Sequence, residues 1–420
     1  MKKLIASASL AALGAVSSQA AYAPDLSPVE RSKPWSVGLS LSGFYDDNYT
    51  TQTKALKRDS YGFSVSPSLG INLALDQTLI GFNYTFDLRY YEDRRDNTAD
   101  YSHIASLSVK HAFSERFKGE LTDKFISAQE GTVEFGTVTT PTRLETDADY
   151  IRNVARVGFD AAVTQQISVQ ISYENQFYDY EQTDANAPGG ISSRSSLLDR
   201  FEHLGTLEGH WLVQPGTAGI FGYKYGRVDH TGDGQFQTGD PTIGVAGVVN
   251  SEFRDSTSHY VYVGGEHSFS SQLNGSVRLG AQFTDYSNAN EDNVTPYTDA
   301  RLTWTYNPGS YIQLGIIHTL NQTDIAALDQ ESTAVFGTIN HRITPKLTGS
   351  VLGEFQNSEF NKGVYDRRTD QLFLVGLNFN YQINPYLSFD AGYNYDRLDS
   401  EIGGRSFTRN RVFIGIRATY

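Results

Sequence analysis

Residues 61–75 read YGFSVSPSLGINLAL, and every second residue is apolar: Tyr61, Phe63, Val65, Pro67, Leu69, Ile71, Leu73 and Leu75. Small or polar residues fill the places between them. A period of two describes a β-strand with one apolar and one polar face. Strands in globular proteins run about 5–6 residues, whereas a tilted strand crossing a bilayer needs about 9–11. The length of the alternation therefore points to a sheet that separates two solvents.

The pattern recurs. After Asp76-Gln77, the stretch TLIGFNYTFDLRYY puts Ile80, Phe82, Tyr84, Phe86, Leu88 and Tyr90 on one face. Further tight links fall at 111–119, 161–169, 211–219, 267–275, 305–313, 341–349 and 381–389. Longer polar segments lie between them, at 46–60, 92–100, 129–149, 179–198, 229–256, 285–295, 322–331, 357–368 and 397–409. With a first strand at 35–45 and a last at 411–420, this organisation gives about 18 strands, the even number that bacterial barrels use. A β-propeller has a similar period but needs four short strands per blade. A soluble sandwich would not sort its links into short and long sets. The expected fold is all-β: a transmembrane antiparallel up-and-down β-barrel with short periplasmic turns and long extracellular loops.

The N-terminus reads as an export signal. MKK is basic, LIASASLAALGAV is apolar and SSQA is small, the order of a secretory signal peptide. It predicts a signal peptide over 1–20, a Pro-rich periplasmic tether over 21–34 and the barrel over 35–420. No later run is apolar enough for a membrane helix. The absence of Cys excludes disulfides and thiolate metal sites, and a net charge of −14 argues against nucleic acid as a partner.

Aromatics mark the strand ends. Tyr90, Phe113, Trp211, Phe269, Tyr306 and Tyr381 fall there on the expected outer face, as in the girdles of membrane barrels. His111, His267 and His341 precede tight turns, positions where an amphipathic ring suits the headgroups. In the final strand RVFIGIRATY, Val412, Ile414, Ile416, Ala418 and Tyr420 face outward. A last strand ending in an aromatic resembles the terminal signature that barrel-assembly machinery reads, so that machinery and outer-membrane lipid are the expected partners. Together with SGFYDDNYT and the long strand after it, this ending resembles the β-barrel porin family called type 2. The resemblance implies an outer-membrane channel of a Gram-negative-type bacterium, with no catalytic residues and no enzyme activity.

The polar faces then become a lumen. Expected pore-lining residues are Arg89, Arg152, Arg156, Arg278, Arg301, Arg411 and Arg417, with Glu120, Glu174, Glu208, Glu266 and Glu354; Asp87, Glu202 and Asp390 belong to the same set. Charged rings set ion selectivity, and mixed signs predict a weak preference. His210 stands beside Glu208, but no Ser or Asp spacing completes a triad. Tyr91, Tyr178, Tyr260 and Tyr262 either stack on sugars or pack the wall.

Segment 229–240, DHTGDGQFQTGD, places Asp229, Thr231, Asp233 and Asp240 at positions 1, 3, 5 and 12 of a calcium loop, with Gly234 at position 6. Calcium on Asp229, Asp233 and Asp240 is the one cofactor the sequence offers; a plain Asp/Gly surface loop is the alternative. The apolar PTIGVAGVVN beside it predicts a loop that either constricts the lumen or meets a neighbouring copy in a homo-oligomer. The expected function is passive diffusion of small hydrophilic solutes. The alternatives are a polysaccharide-export barrel working with periplasmic partners and a plugged structural or adhesive barrel. Pro67 cannot donate to a ladder, which predicts a bulge or a local break.

Overall fold

The computed structural model describes residues 33–95, 97–129, 135–137, 149–185, 192–237 and 247–420. The signal peptide and most of the tether lie outside the described residues. The first half of the chain forms β1 (Trp35–Asp46), β2 (Ser60–Ala74), β3 (Thr78–Tyr91), β4 (Ala99–Ala112), β5 (Phe117–Ala128), β6 (Tyr150–Ala162), β7 (Ile167–Tyr180), β8 (Arg200–Gln214) and β9 (Thr217–His230). The second half forms β12 (Ser256–Ser268), β13 (Leu273–Tyr286), β14 (Glu291–Asn307), β15 (Ser310–Asn321), β16 (Asp329–Arg342), β17 (Leu347–Asn361), β18 (Thr369–Asn384), β19 (Leu387–Ser400) and β20 (Phe407–Thr419). A small hairpin, β10 (Gln235–Gln237) with β11 (Val248–Asn250), and a one-turn helix α1 (Arg194–Leu198) sit in the outer loops.

These strands form one 18-stranded antiparallel sheet. β20 pairs with β1 from Gly38↔Thr419 to Asp46↔Arg411, which closes the barrel. Closure satisfies the backbone groups that lipid could not. The two ends of the wall also meet side by side: the Trp35 and Tyr420 rings are 5.8 Å apart, and Lys33 lies 4.0 Å over the Tyr420 ring.

The barrel is inverted relative to a soluble protein. Val37, Leu39, Leu41, Leu69, Val261, Leu279, Ile414 and Ile416 are exposed, while Asp46, Glu208, Gln330, Gln356 and Arg409 are buried. Lipid rewards the outer groups, and the inner ones are compensated by partners of their own kind, as Asp46 by Arg409 and Glu208 by Arg278. Phe113 and Phe269, each 61 % exposed, stand at the turn ends, with His111 and His267 edge-on to them at 4.5 Å. His111 and His267 meet the Thr78 and Thr217 hydroxyls at 2.8 Å, and His341 meets the Tyr306 hydroxyl at 2.7 Å.

Pro67 breaks one ladder only. Pairing of β2 with β1 runs through Leu39↔Pro67 without a shift. Pairing with β3 stops after Val65↔Leu88 and resumes at Ser68↔Thr85 in the same register. The break is a gap rather than a bulge, and the Ser66 hydroxyl bridges it by donating to Asp87. Pro67→Val restores an N–H to that gap. We expect the barrel to gain about 1 kcal/mol, read as a higher temperature for the heat-induced shift on an SDS gel; an unchanged or lower temperature contradicts the gap.

One expected loop is mostly strand. Segment 285–295 was expected to be polar loop, but β13 and β14 continue to Tyr286 and from Glu291, leaving only 287–290 between them. Asp285↔Asp292 and Phe283↔Val294 are in register. The hairpin rises past the bilayer, where a strand needs no apolar face, so its polar residues look like a loop in sequence.

Candidate functional site

The expected charges gather mainly in pairs along the inner wall. Arg278 Nε donates to Glu208 Oε1 at 2.8 Å and its Nη2 to Oε2 at 3.1 Å. Glu208 also accepts from the Tyr262 hydroxyl at 2.7 Å and meets His210 Nε2 at 3.1 Å, and Glu266 lies 3.5 Å from Arg278. This one knot joins three residues the sequence set apart. Arg301 pairs with Asp299 at 3.1 Å, Arg411 with Asp396 at 3.0 Å and Arg89 with Asp87 at 3.7 Å. Glu120 meets Lys110 at 3.3 Å, and Glu202 meets Arg200 at 2.7 Å. Arg156 donates to the Ser172 hydroxyl at 3.4 Å, and Glu174 accepts from Gln176 at 2.8 Å. Asp390 accepts from Asn380 at 2.6 Å. Arg417 stands opposite Ser40 in the β20–β1 register.

The aromatic faces are occupied. Tyr178 lies under Arg152 at 5.1 Å and Arg200 at 4.0 Å; Tyr260 and Tyr262 pack on Tyr297 at 5.5 and 5.4 Å; Tyr91 packs on Phe44 at 5.1 Å. They build wall, and Tyr91 and Tyr262 are buried in it.

Among the described residues, a loop other than 229–256 reaches across the barrel. Segment 135–137, between β5 and β6, lies against β16 and β17, which stand nine and eight places from β5 in the 18-strand ring. Phe135 meets Phe336 edge-on at 5.8 Å, and the Gly136 N–H donates to Glu354 Oε2 at 2.9 Å. Glu354 is 4 % exposed. Gly136 has φ +78°, and a Cβ there would stand 3.3 Å from the Phe336 ring. A side chain would be strained in backbone and crowded by the ring.

The described part of 229–256 packs instead into a cap at the outer mouth. Leu197, Leu198 and Phe236 form a buried cluster with Tyr180, Val249, Phe253 and Ala326 around it. Of the apolar stretch 241–250, Val249 joins this cluster, and 241–246 lie outside the described residues. Arg254, with 0 % exposure, donates to three carbonyls: Leu197 at 2.7 Å, Thr323 at 2.7 Å and Leu328 at 3.3 Å. Arg405 holds Asp324 through two bonds, at 2.7 and 3.0 Å, and Asp370 at 2.7 Å. Segments 192–199, 247–255, 322–328 and 401–406 are thereby tied together.

The expected calcium residues fall partly outside the described residues. Asp229 lies in β9, and Arg227 Nε donates to its two oxygens at 2.8 and 2.9 Å. Asp233 lies in 231–234, and Asp240 lies outside the described residues. Gly234 has another reason to be glycine: a Cβ there would come within 2.5 Å of Ser196 Cβ and 2.7 Å of Asp184 Oδ1. Among the described residues no three His, Cys, Asp or Glu side chains group to hold a metal.

Asp199 gives the cap a pH response. It follows α1, accepts the Tyr180 N–H at 2.7 Å and the Ser195 hydroxyl at 2.5 Å. Burial outweighs these bonds and pushes its carboxyl up to about 6. A raised carboxyl favours the protonated cap, so its contribution to stability is complete below about 4 and lost as pH rises through about 6. Protease resistance of the cap is expected to fall across that window in the native chain and to fall less in Asp199→Asn; identical slopes contradict the assignment.

A family model described as "Putative beta-barrel porin 2" matches residues 36–420. The chain belongs to this family. It is therefore a β-barrel porin of the Gram-negative outer membrane, a channel class rather than an enzyme class. No curated protein sequence matches the chain. Solved structures with a similar outline include a BenF-like porin from Pseudomonas fluorescens Pf-5, at 9 % identity and TM-score 0.47, covering 92 % of this chain and 99 % of that one. Acinetobacter baumannii OccAB4 follows at 11 % and 0.45, covering 94 % and 100 %. Pseudomonas aeruginosa OccK2, solved with glucuronate, follows at 8 % and 0.47, covering 92 % and 98 %. Such distant likeness transfers no residue from those porins to this one.

Sequence reasoning missed Phe135, Gly136, Phe336, Arg254, Asp324 and Arg405. Gly136 and Glu354 are 218 positions apart, and Arg254 and Thr323 are 69 apart. No local pattern joins them.

Proposed function

We propose that this porin passes small hydrophilic solutes by passive diffusion through a water-filled lumen. Arg89, Arg152, Arg156, Arg278, Arg301, Arg411, Arg417, Glu120, Glu174, Glu208, Glu266 and Glu354 line that path. The observation that carries the reading is the inverted barrel: buried Asp, Glu, Arg, Ser and Gln inside, exposed Leu, Val and Ile outside. Segment 135–137 narrows the lumen from within, and the cap screens its outer mouth. Because several of the lumen charges neutralise each other, as in Arg278–Glu208 and Arg301–Asp299, ions of either sign meet little net field. In a planar bilayer under a salt gradient, the refolded protein is expected to carry stepwise currents with a reversal potential near zero. A potential close to that of a single-ion electrode contradicts the mixed-charge reading. Calcium bears on this proposal only if Asp229 leaves Arg227; a Ca²⁺ titration without heat removes it.

A further inference from the structure

The arc of wall from β1 to β4 differs from the rest of the lumen. Its inner face carries hydroxyls in almost every row: Ser40, Ser42, Ser64, Ser68, Ser106 and Ser108. They are brought together by register. Ser42 stands opposite Ser64 and their hydroxyls meet at 2.7 Å. Ser68 stands opposite Thr85, and Asn83 opposite Ser106. Gly38, Gly70 and Gly81 fall in the same rows and add no side chain to them. A second feature stands in the row above. Ser102, opposite Asp87, is 5 % exposed and its hydroxyl has no protein partner. Such a group normally finds a partner in water or a ligand.

The charges on and beside the arc are few. Asp87 takes the Ser66 hydroxyl and faces Arg89, while Arg417 and Lys124 stand at the two sides, opposite Ser40 and Ser106. The constricting segment 135–137 is docked on β16 and β17, away from these strands.

We infer that the β1–β4 wall is a hydrogen-bonding track for neutral polyhydroxylated solutes of sugar type. A hydroxyl both donates and accepts and rotates to suit its partner. A sugar entering a narrow lumen sheds part of its hydration shell, and rows of such groups replace it bond for bond. An ion sheds its shell too, and the charges on these strands are already paired, Arg89 with Asp87 and Lys110 with Glu120. The tyrosines singled out in the sequence pack on other rings or under guanidinium groups, so the track rests on hydroxyls rather than on stacking. The inference deepens the channel reading and depends on it.

The test is block of channel current by sucrose, with gluconate as the acidic counterpart, on the full-length refolded protein in KCl. Saturable block by sucrose, stronger than by gluconate, is expected. The variant S40A/S42A/S64A/S68A removes hydroxyls without narrowing the bore. Each hydroxyl is worth about 0.5–1.5 kcal/mol, so sucrose affinity is expected to fall about tenfold or more while KCl conductance stays. The milder S42A/S64A should show a smaller fall, and S42T/S64T, which keeps the hydroxyls, should retain block. Native currents that sucrose does not block overturn the inference but leave the channel intact, as does equal block of the Ala variant or stronger block by gluconate. Absence of any KCl current overturns the channel reading and this inference with it.

Discussion

Arg254→Met is expected to unfasten the outer cap. The guanidinium reaches carbonyls of Leu197, Thr323 and Leu328 from full burial. Methionine fills similar space and donates nothing, so three acceptors lose their partner at once. Each buried acceptor left alone costs about 1–3 kcal/mol. Removing the charge returns part of that, because Arg254 has no carboxylate in direct contact and burial lowers its pKa to about 9. A net loss of about 3 kcal/mol corresponds to about a hundredfold rise in the open cap population. Limited proteolysis of intact outer membranes reads it: cleavage within 231–255 and 322–328 should accelerate by about that factor, with the barrel itself still heat-modifiable. Unchanged cleavage would mean that the apolar cluster alone holds the cap. Asp324→Asn attacks the same assembly through Arg405 and is expected to act in the same direction, since Arg405 is left buried with one carboxylate.

Glu354→Ala is expected to widen the channel. Its carboxylate is the acceptor that fixes the Gly136 N–H against the wall. Without it the N–H is left unsatisfied at about 1–3 kcal/mol, and only the Phe135–Phe336 edge contact, about 0.5–1.5 kcal/mol, still holds the segment. Phe336→Ala in addition removes that contact. Single-channel conductance should rise with the first change and rise further with the second, and larger sugars should enter liposomes. Conductance equal to the native value in the double variant would show that segment 135–137 does not limit flow.

The wall was legible in the sequence and the loops were not. Alternation is a local record of solvent: Leu69 meets lipid and Ser68 meets the lumen whatever the rest of the chain does. Tight turns are local too, so strand order, number and the break at Pro67 could be read in advance. The cap and the constriction are made by pairs distant in sequence. Arg409 holds Asp46 across 363 positions and Glu354 holds Gly136 across 218. Nothing near any of them marks its partner. Local reading could not place what it did see. Of the apolar stretch after 241, which suggested a constricting loop or a contact with a neighbouring copy, Val249 joins the cap cluster. Gly234, at the turn position of the calcium pattern, makes room for Ser196 and Asp184. Polar residues at 285–295 suggested a loop, because above the bilayer a strand loses the alternation that identifies it.

The central claim is that this inverted barrel conducts, and a planar bilayer measures it directly. Refolded protein in symmetric KCl should give discrete, voltage-independent current steps, with larger steps from Arg254→Met and Glu354→Ala. Silence from the native chain and both variants, in samples that show the heat-modifiable shift of a folded barrel, would contradict it.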